Sequence, residues 1–118
     1  MAQDFYDRSG RATHYVDDRG TFYTWGGQPV GFVQGEELYT SSGRHVGRIS
    51  SGWIRDHNGH GVAFSENASG GPLPPLRSLP SLKSLPSLAP LRGLPSLPPL
   101  LALPSLSWSQ YSVDDLFR

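Results

Sequence analysis

The side chains best suited to chemistry in this chain are four histidines, His14, His45, His57 and His60. Imidazole titrates near neutrality, so it serves acid–base catalysis and metal binding alike. Asp56-His57-Asn58-Gly59-His60 sets two of them around a turn, on opposite strands, where they could converge on a metal. Zinc asks for three or four convergent ligands, and this segment specifies only two. Nucleophilic catalysis is poorly supplied. Cysteine is absent, no serine sits in a Gly-x-Ser-x-Gly elbow, and no histidine has an evident nucleophile beside it. The glycines are spaced for turns rather than for a phosphate-cradling loop. Asp17-Asp18 and Glu36-Glu37 read as solvated turn carboxylates. The expectation is a non-enzymatic protein with no cofactor and no metal.

A second constellation is cationic and aromatic. Arg8, Arg11, Trp25, Arg44, His57 and His60 all lie beside Gly10, Gly27, Gly43 or Gly59. If the segments carrying them radiate from one hub, they form a rim. Such a rim could bind a ligand or meet the phosphates of an anionic lipid surface, with Trp25 at the interface. The plainer reading is solvated turn residues offset by Asp7 and Asp56.

The elements that would position these residues repeat four times. The glycines Gly10, Gly27, Gly43 and Gly59 are spaced 17, 16 and 16 apart. Five positions before them stand Phe5, Phe22, Leu38 and Ile54; four before, Tyr6, Tyr23, Tyr39 and Arg55. Three after stand Thr13, Val30, Val46 and Val62. Each block reads as a β-hairpin, with β-branched and aromatic flanks around a tight turn whose glycine takes positive φ. Second turns fall at Asp17-Asp18-Arg19-Gly20, Gln34-Gly35-Glu36 and Ser50-Ser51-Gly52. The position after the valines holds His14, Gly31, Gly47 or Ala63, and the small residues suggest close backbone approach between units. The fold class is therefore all-β: eight short strands in four hairpins that share a centre because one hairpin cannot bury enough alone. A plain antiparallel meander is the alternative.

The blocks resemble the four-fold beta-flower domains of bacteria. The resemblance rests on Tyr6-Asp7-Arg8-Ser9-Gly10, on Phe22-Tyr23-Thr24-Trp25-Gly26-Gly27-Gln28-Pro29-Val30, on Leu38-Tyr39 with Gly43-Arg44-His45-Val46-Gly47, and on Trp53-Ile54-Arg55-Asp56-His57-Asn58-Gly59. It covers about residues 4–68, and a proline-rich tail is a common companion. It implies a shallow, barrel-like ring of four petals, loosely similar in shape to Tubby-type C-terminal domains. It carries no catalytic residues with it, and the Tubby-like shape hints at lipid only by fold analogy. Arg48 and Arg55 depart from the apolar or aromatic residues of the other blocks.

The second half has different physics. Ten of the 11 prolines lie at or after Pro72, and residues 71–107 carry Arg77, Lys83 and Arg92 but no acid. A boundary falls near Asn67-Ala68-Ser69-Gly70-Gly71, dividing the chain into 1–69, 70–107 and 108–118. From Leu73 to Leu106 a leucine recurs every third residue without a miss. Proline forbids an α-helix here, whereas polyproline II has three residues per turn and would align the leucines on one edge about 100 Å long. Leu79, Leu82, Leu85 and Leu88 stand for this strip as a spacer, or as a surface for a protein partner or self-association. Its Pro-x-x-Pro spacing suits SH3-type docking poorly. At the end, Ser112 can cap one helical turn, and Trp108 and Phe117 are bulky anchors for a partner or for the flower itself.

Composition closes the bounds. Ten basic and ten acidic side chains in 118 residues leave a net charge of zero, so no nucleic-acid partner is expected. No apolar run reaches the length of a membrane-spanning helix, and the polar start does not read as a signal peptide. The expected setting is the cytoplasm, with attachment to a membrane surface as the alternative.

Overall fold

The computed structural model describes residues 2–118. Among them run eight strands: β1 (Gln3–Tyr6), β2 (Ala12–Val16), β3 (Thr21–Thr24), β4 (Pro29–Gln34), β5 (Glu37–Thr40), β6 (His45–Ser50), β7 (Trp53–Arg55) and β8 (Gly61–Phe64). Each pairs antiparallel with the next, and Tyr6 on β1 pairs with Phe64 on β8, so the sheet closes into a barrel. Closure removes the free strand edges that a meander would leave.

The four hairpin turns share one geometry, longer than a two-residue turn. In the first, the Gly10 N–H donates to the Asp7 carbonyl and the Asp7 N–H donates to the Arg11 carbonyl, both at 2.9 Å. The others repeat this around Thr24, Thr40 and Asp56. Only the glycine takes positive φ, between 82° and 99°, and Asn58 does not. The residue three before the glycine explains why. Asp7, Thr24, Thr40 and Asp56 each accept backbone N–H groups of their own turn on a side-chain oxygen. A one-residue register shift follows in every hairpin, as between Phe5 and Tyr6. It lets neighbouring residues serve different layers.

Phe5, Phe22, Leu38 and Ile54 fill the hub and are wholly buried, with Val16, Val46 and Val62 around them. Opposite them across the hairpins lie His14, Gly31, Gly47 and Ala63. A Cβ on Gly31 would overlap the Tyr39 carbonyl, and one on Gly47 would press on that of Arg55. The small residues thus let adjoining hairpins meet backbone to backbone. The next layer out consists of pairs between hairpins: Tyr15 on Tyr23 at 5.1 Å, Phe32 on Tyr39 at 5.2 Å and Phe64 on Tyr6 at 5.7 Å. The remaining junction pairs Arg48 with Arg55.

Between Ser65 and Ser112 there is no helix or strand of more than a single bridge. The molecule nevertheless measures only 36 × 36 × 24 Å. A strip on the order of 100 Å long at 3.1 Å per residue fits that envelope only by curving around it. Hydrogen bonds trace the path. The N–H groups of Ser78, Ser87 and Ser96 donate to the carbonyls of Gly10, Gly27 and Gly43 at 2.8 Å, and that of Ser105 to Gly59 at 3.0 Å. The serines are nine residues apart, one per hairpin. The tail is a belt buckled to each petal in turn. It is not a spacer standing off from the barrel.

The chain ends in α1 (Val113–Leu116), capped by Ser112, whose hydroxyl accepts the Asp115 N–H while the Asp115 carboxylate accepts the Ser112 N–H. Val113 is buried in the hub, and Leu116 and Phe117 pack against it.

Candidate functional site

Three of the six residues expected on a cationic rim, Arg8, Trp25 and Arg44, meet the belt or the C-terminal segment. Trp25 Nε1 donates to the Ser81 carbonyl at 2.9 Å, and Lys83 Nζ lies 5.0 Å from its ring. The Arg8 guanidinium stacks over Trp108 at 5.7 Å. Arg44 donates to the Arg118 carbonyl at 3.0 Å. Arg11 lies 3.7 Å from the Asp7 carboxylate with its side chain 76% exposed. His57 Nε2 meets His45 Nδ1 at 2.9 Å, with the rings stacked, and the His60 backbone N–H donates to Asp56. Among the described residues no group of three or more His, Asp or Glu side chains is arranged to hold a metal.

Of the two uses open to the aromatic anchors, the flower itself is the one seen here, because the belt brings residues 108–118 back to the barrel. Trp108 packs edge-on to Trp53 at 5.2 Å, and Phe117 stacks on Phe22 at 5.5 Å. The leucines behave oppositely. Leu79, Leu82, Leu85 and Leu88 are all more than 90% exposed, and the twelve at three-residue spacing range from 75 to 98%. Serine N–H groups fasten the belt inward, so the leucines face out.

Tail cations add to the seating. Lys83 Nζ lies 4.4 Å from the Tyr15 ring, and Arg92 is 5.1 Å and Arg77 5.3 Å from Phe32 and Tyr6. Lys83 also pairs with Asp4 at 2.7 Å. Cation–π contacts of this kind are worth about 0.5–1 kcal/mol at exposed sites. The turn glycines have a second duty as well. A side chain on Gly43 would overlap the Leu94 carbonyl, and one on Gly10 that of Leu76.

Such a match of tail period to hairpin count suggests that barrel and tail form one recurrent unit. The 4-fold beta flower protein family matches residues 3–117. The chain belongs to that family. The match takes in the belt and α1 of this beta flower as well as its hairpins. No curated protein and no solved structure matches the chain.

Sequence reasoning passed over three polar groups. Arg48 donates to Glu37 at 2.7 Å, Glu37 accepts from His45 at 2.7 Å, and His45 leads to His57. Arg55 is buried and donates to the carbonyls of Gly59, Ser105 and Gly70. Burial pulls its pKa below the usual guanidinium value, opposed by neighbouring Asp56. His14 lies in the hub, stacked on Phe22 at 5.4 Å, with Nε2 3.2 Å from Asp114 of α1. Burial lowers its pKa, and Asp114 opposes that. Burial and the adjacent His45 likewise lower His57. The departures at Arg48 and Arg55, and the one large residue among the small ones at His14, were the available signals. No helix is long and apolar enough to cross a membrane among the described residues.

Proposed function

We propose that this beta flower is a non-enzymatic association module whose working surface is the leucine belt, with a second copy of the chain as its partner. The observation that carries the reading is the outward orientation of twelve leucines on a backbone fastened to all four hairpins. Fully burying one leucine is worth roughly 1.5–3 kcal/mol, so covering even a few offsets much of the cost of association. Because the belt is already seated, little chain entropy is lost when it docks. Light scattering of the full chain across a concentration series tests this. Oligomers should form and should disappear when Leu79, Leu82, Leu85 and Leu88 become serine. A monomer throughout the series overturns self-association.

The second reading is an anionic lipid surface. It is favoured by the shared groove in which exposed Arg11 adjoins Leu79. Flotation with phosphatidylserine vesicles should then fall with salt and be lost when Arg8, Arg11 and Arg44 become glutamate. Equal flotation of that variant removes the idea.

A further inference from the structure

Three of the four junctions between hairpins follow one rule: two stacked barrel aromatics and a tail cation over a ring of the pair. Tyr15–Tyr23 has Lys83, Phe32–Tyr39 has Arg92, and Phe64–Tyr6 has Arg77. The junction of β6 with β7 inverts the rule. The barrel supplies the cations, Arg48 and Arg55, and the belt supplies Leu101, nine residues beyond Arg92. The inversion avoids setting a third cation over two others. It also leaves space, because extended guanidinium side chains and a leucine do not fill what stacked rings fill. A cavity of about 110 Å³ lies there.

Its two walls differ in kind. The barrel side presents Arg48, Arg55, His45 and His57, and the belt side presents prolines with Leu100 and Leu101. Among the described residues no carboxylate lies within ion-pair distance of Arg55; its guanidinium is held by neutral carbonyls. Asp56 acts on it through space without forming an ion pair, and a buried cation so weakly compensated is costly, so an incoming anion gains there. One carboxylate, Glu37, already pairs with Arg48 at 2.7 Å, so an incoming acid can reach only the guanidinium edge that faces Glu36. Two other carboxylates line the space. Asp56 already accepts from the N–H groups of Asn58 and His60 and from the Ser109 hydroxyl. Glu36 lies 3.9 Å from Arg48 and is 62% exposed, free to swing into solvent. A cavity of about 110 Å³ is well above the roughly 10–15 Å³ that a single water needs on this measure, room for a carboxylate on a short hydrocarbon body.

We propose that this junction is a binding site for a small organic carboxylate. The acid head would face Arg48 and Arg55, and the apolar body would lie against Leu101 and the belt prolines Pro99 and Pro104. The site is separate from the association reading and stands or falls without it.

The test is NMR titration of the full chain with sodium butyrate, following the arginine side-chain N–H and His57 signals. Butyramide keeps the shape without the charge, acetate keeps the head without the body, and inorganic phosphate reports general anion binding. Butyrate should give saturable shifts and bind about ten-fold or more tightly than each of the others, the scale of one charge-assisted hydrogen bond. Leu101→Trp, at a position 63% exposed, should fill the cavity and abolish the shifts, and Arg48→Gln should weaken them. Absence of saturation, equal response to butyramide, acetate or phosphate, or unchanged binding by Leu101→Trp would each overturn the proposal.

Discussion

Phe22 and Leu88 belong to two regions that obey the same four-fold symmetry and use apolar side chains in opposite ways. Phe22 has lost all of its exposure in the hub, whereas Leu88 keeps 97% on the belt. In the barrel, side chains set the structure. The hub is filled by one large residue per hairpin, and the backbone ladder follows. On the belt the backbone sets the structure. One serine N–H per nine residues is fastened to one glycine carbonyl per hairpin, and the leucines take whatever direction is left. The difference teaches that a repeated apolar residue marks a core only when its period matches the element that must be buried.

The sharpest way to break this contrast is to truncate one residue of each kind. Phe22→Ala should cost about 3–5 kcal/mol in urea denaturation, the usual scale for a buried aromatic. Gly43→Ala should come next. Its φ of +99° disfavours any side chain, and the new Cβ would overlap the belt. A loss of about 1–3 kcal/mol is expected, with faster hydrogen exchange at the Ser96 amide than at amides of β4. If that amide keeps its protection, the buckle is not what holds the belt. Ser112→Ala removes the α1 cap and should cost about 1 kcal/mol, seen as a lowered Tm.

Acidity probes the hub through His14 and the turn through His57. Both have folded pKa values depressed below the ordinary 6.5. The unfolded chain therefore binds more protons between the folded and unfolded values, and stability rises with pH across that window. It should be complete above about pH 6.5 and diminish as the pH falls below it. His14→Gln should flatten part of that slope; an unchanged slope would exclude His14 as a source. The smallest effect belongs to Leu88→Ala, expected within about 0.5 kcal/mol of the parent. A loss near that of Phe22→Ala would collapse the distinction between hub and belt.

Much of the barrel was legible because hairpins are local. Turn glycines and alternating flanks act within a dozen residues, and the fourfold copy made the pattern hard to miss. The belt was less legible for a particular reason. Its three-residue leucine period is loud, but Ser78, Ser87, Ser96 and Ser105 carry a nine-residue period beneath it. That period has meaning only once the distance between neighbouring hairpins is known. The tail contacts of Arg8, Trp25 and Arg44 were hidden for the same cause: these side chains were read from their turns, and the residues they meet are distant in sequence.

The amino-acid order by itself determined where the hairpins turn, that four of them share a centre, and that the tail could not be an α-helix. Those outcomes depend on steric limits of glycine and proline and on burial along short stretches of chain. Only the closed structure decided that the tail encircles the barrel, that Trp108 and Phe117 return to it, and that Arg48, Glu37, His45 and His57 come into line. Such contacts join residues tens of positions apart, and their geometry comes from how the ring closes.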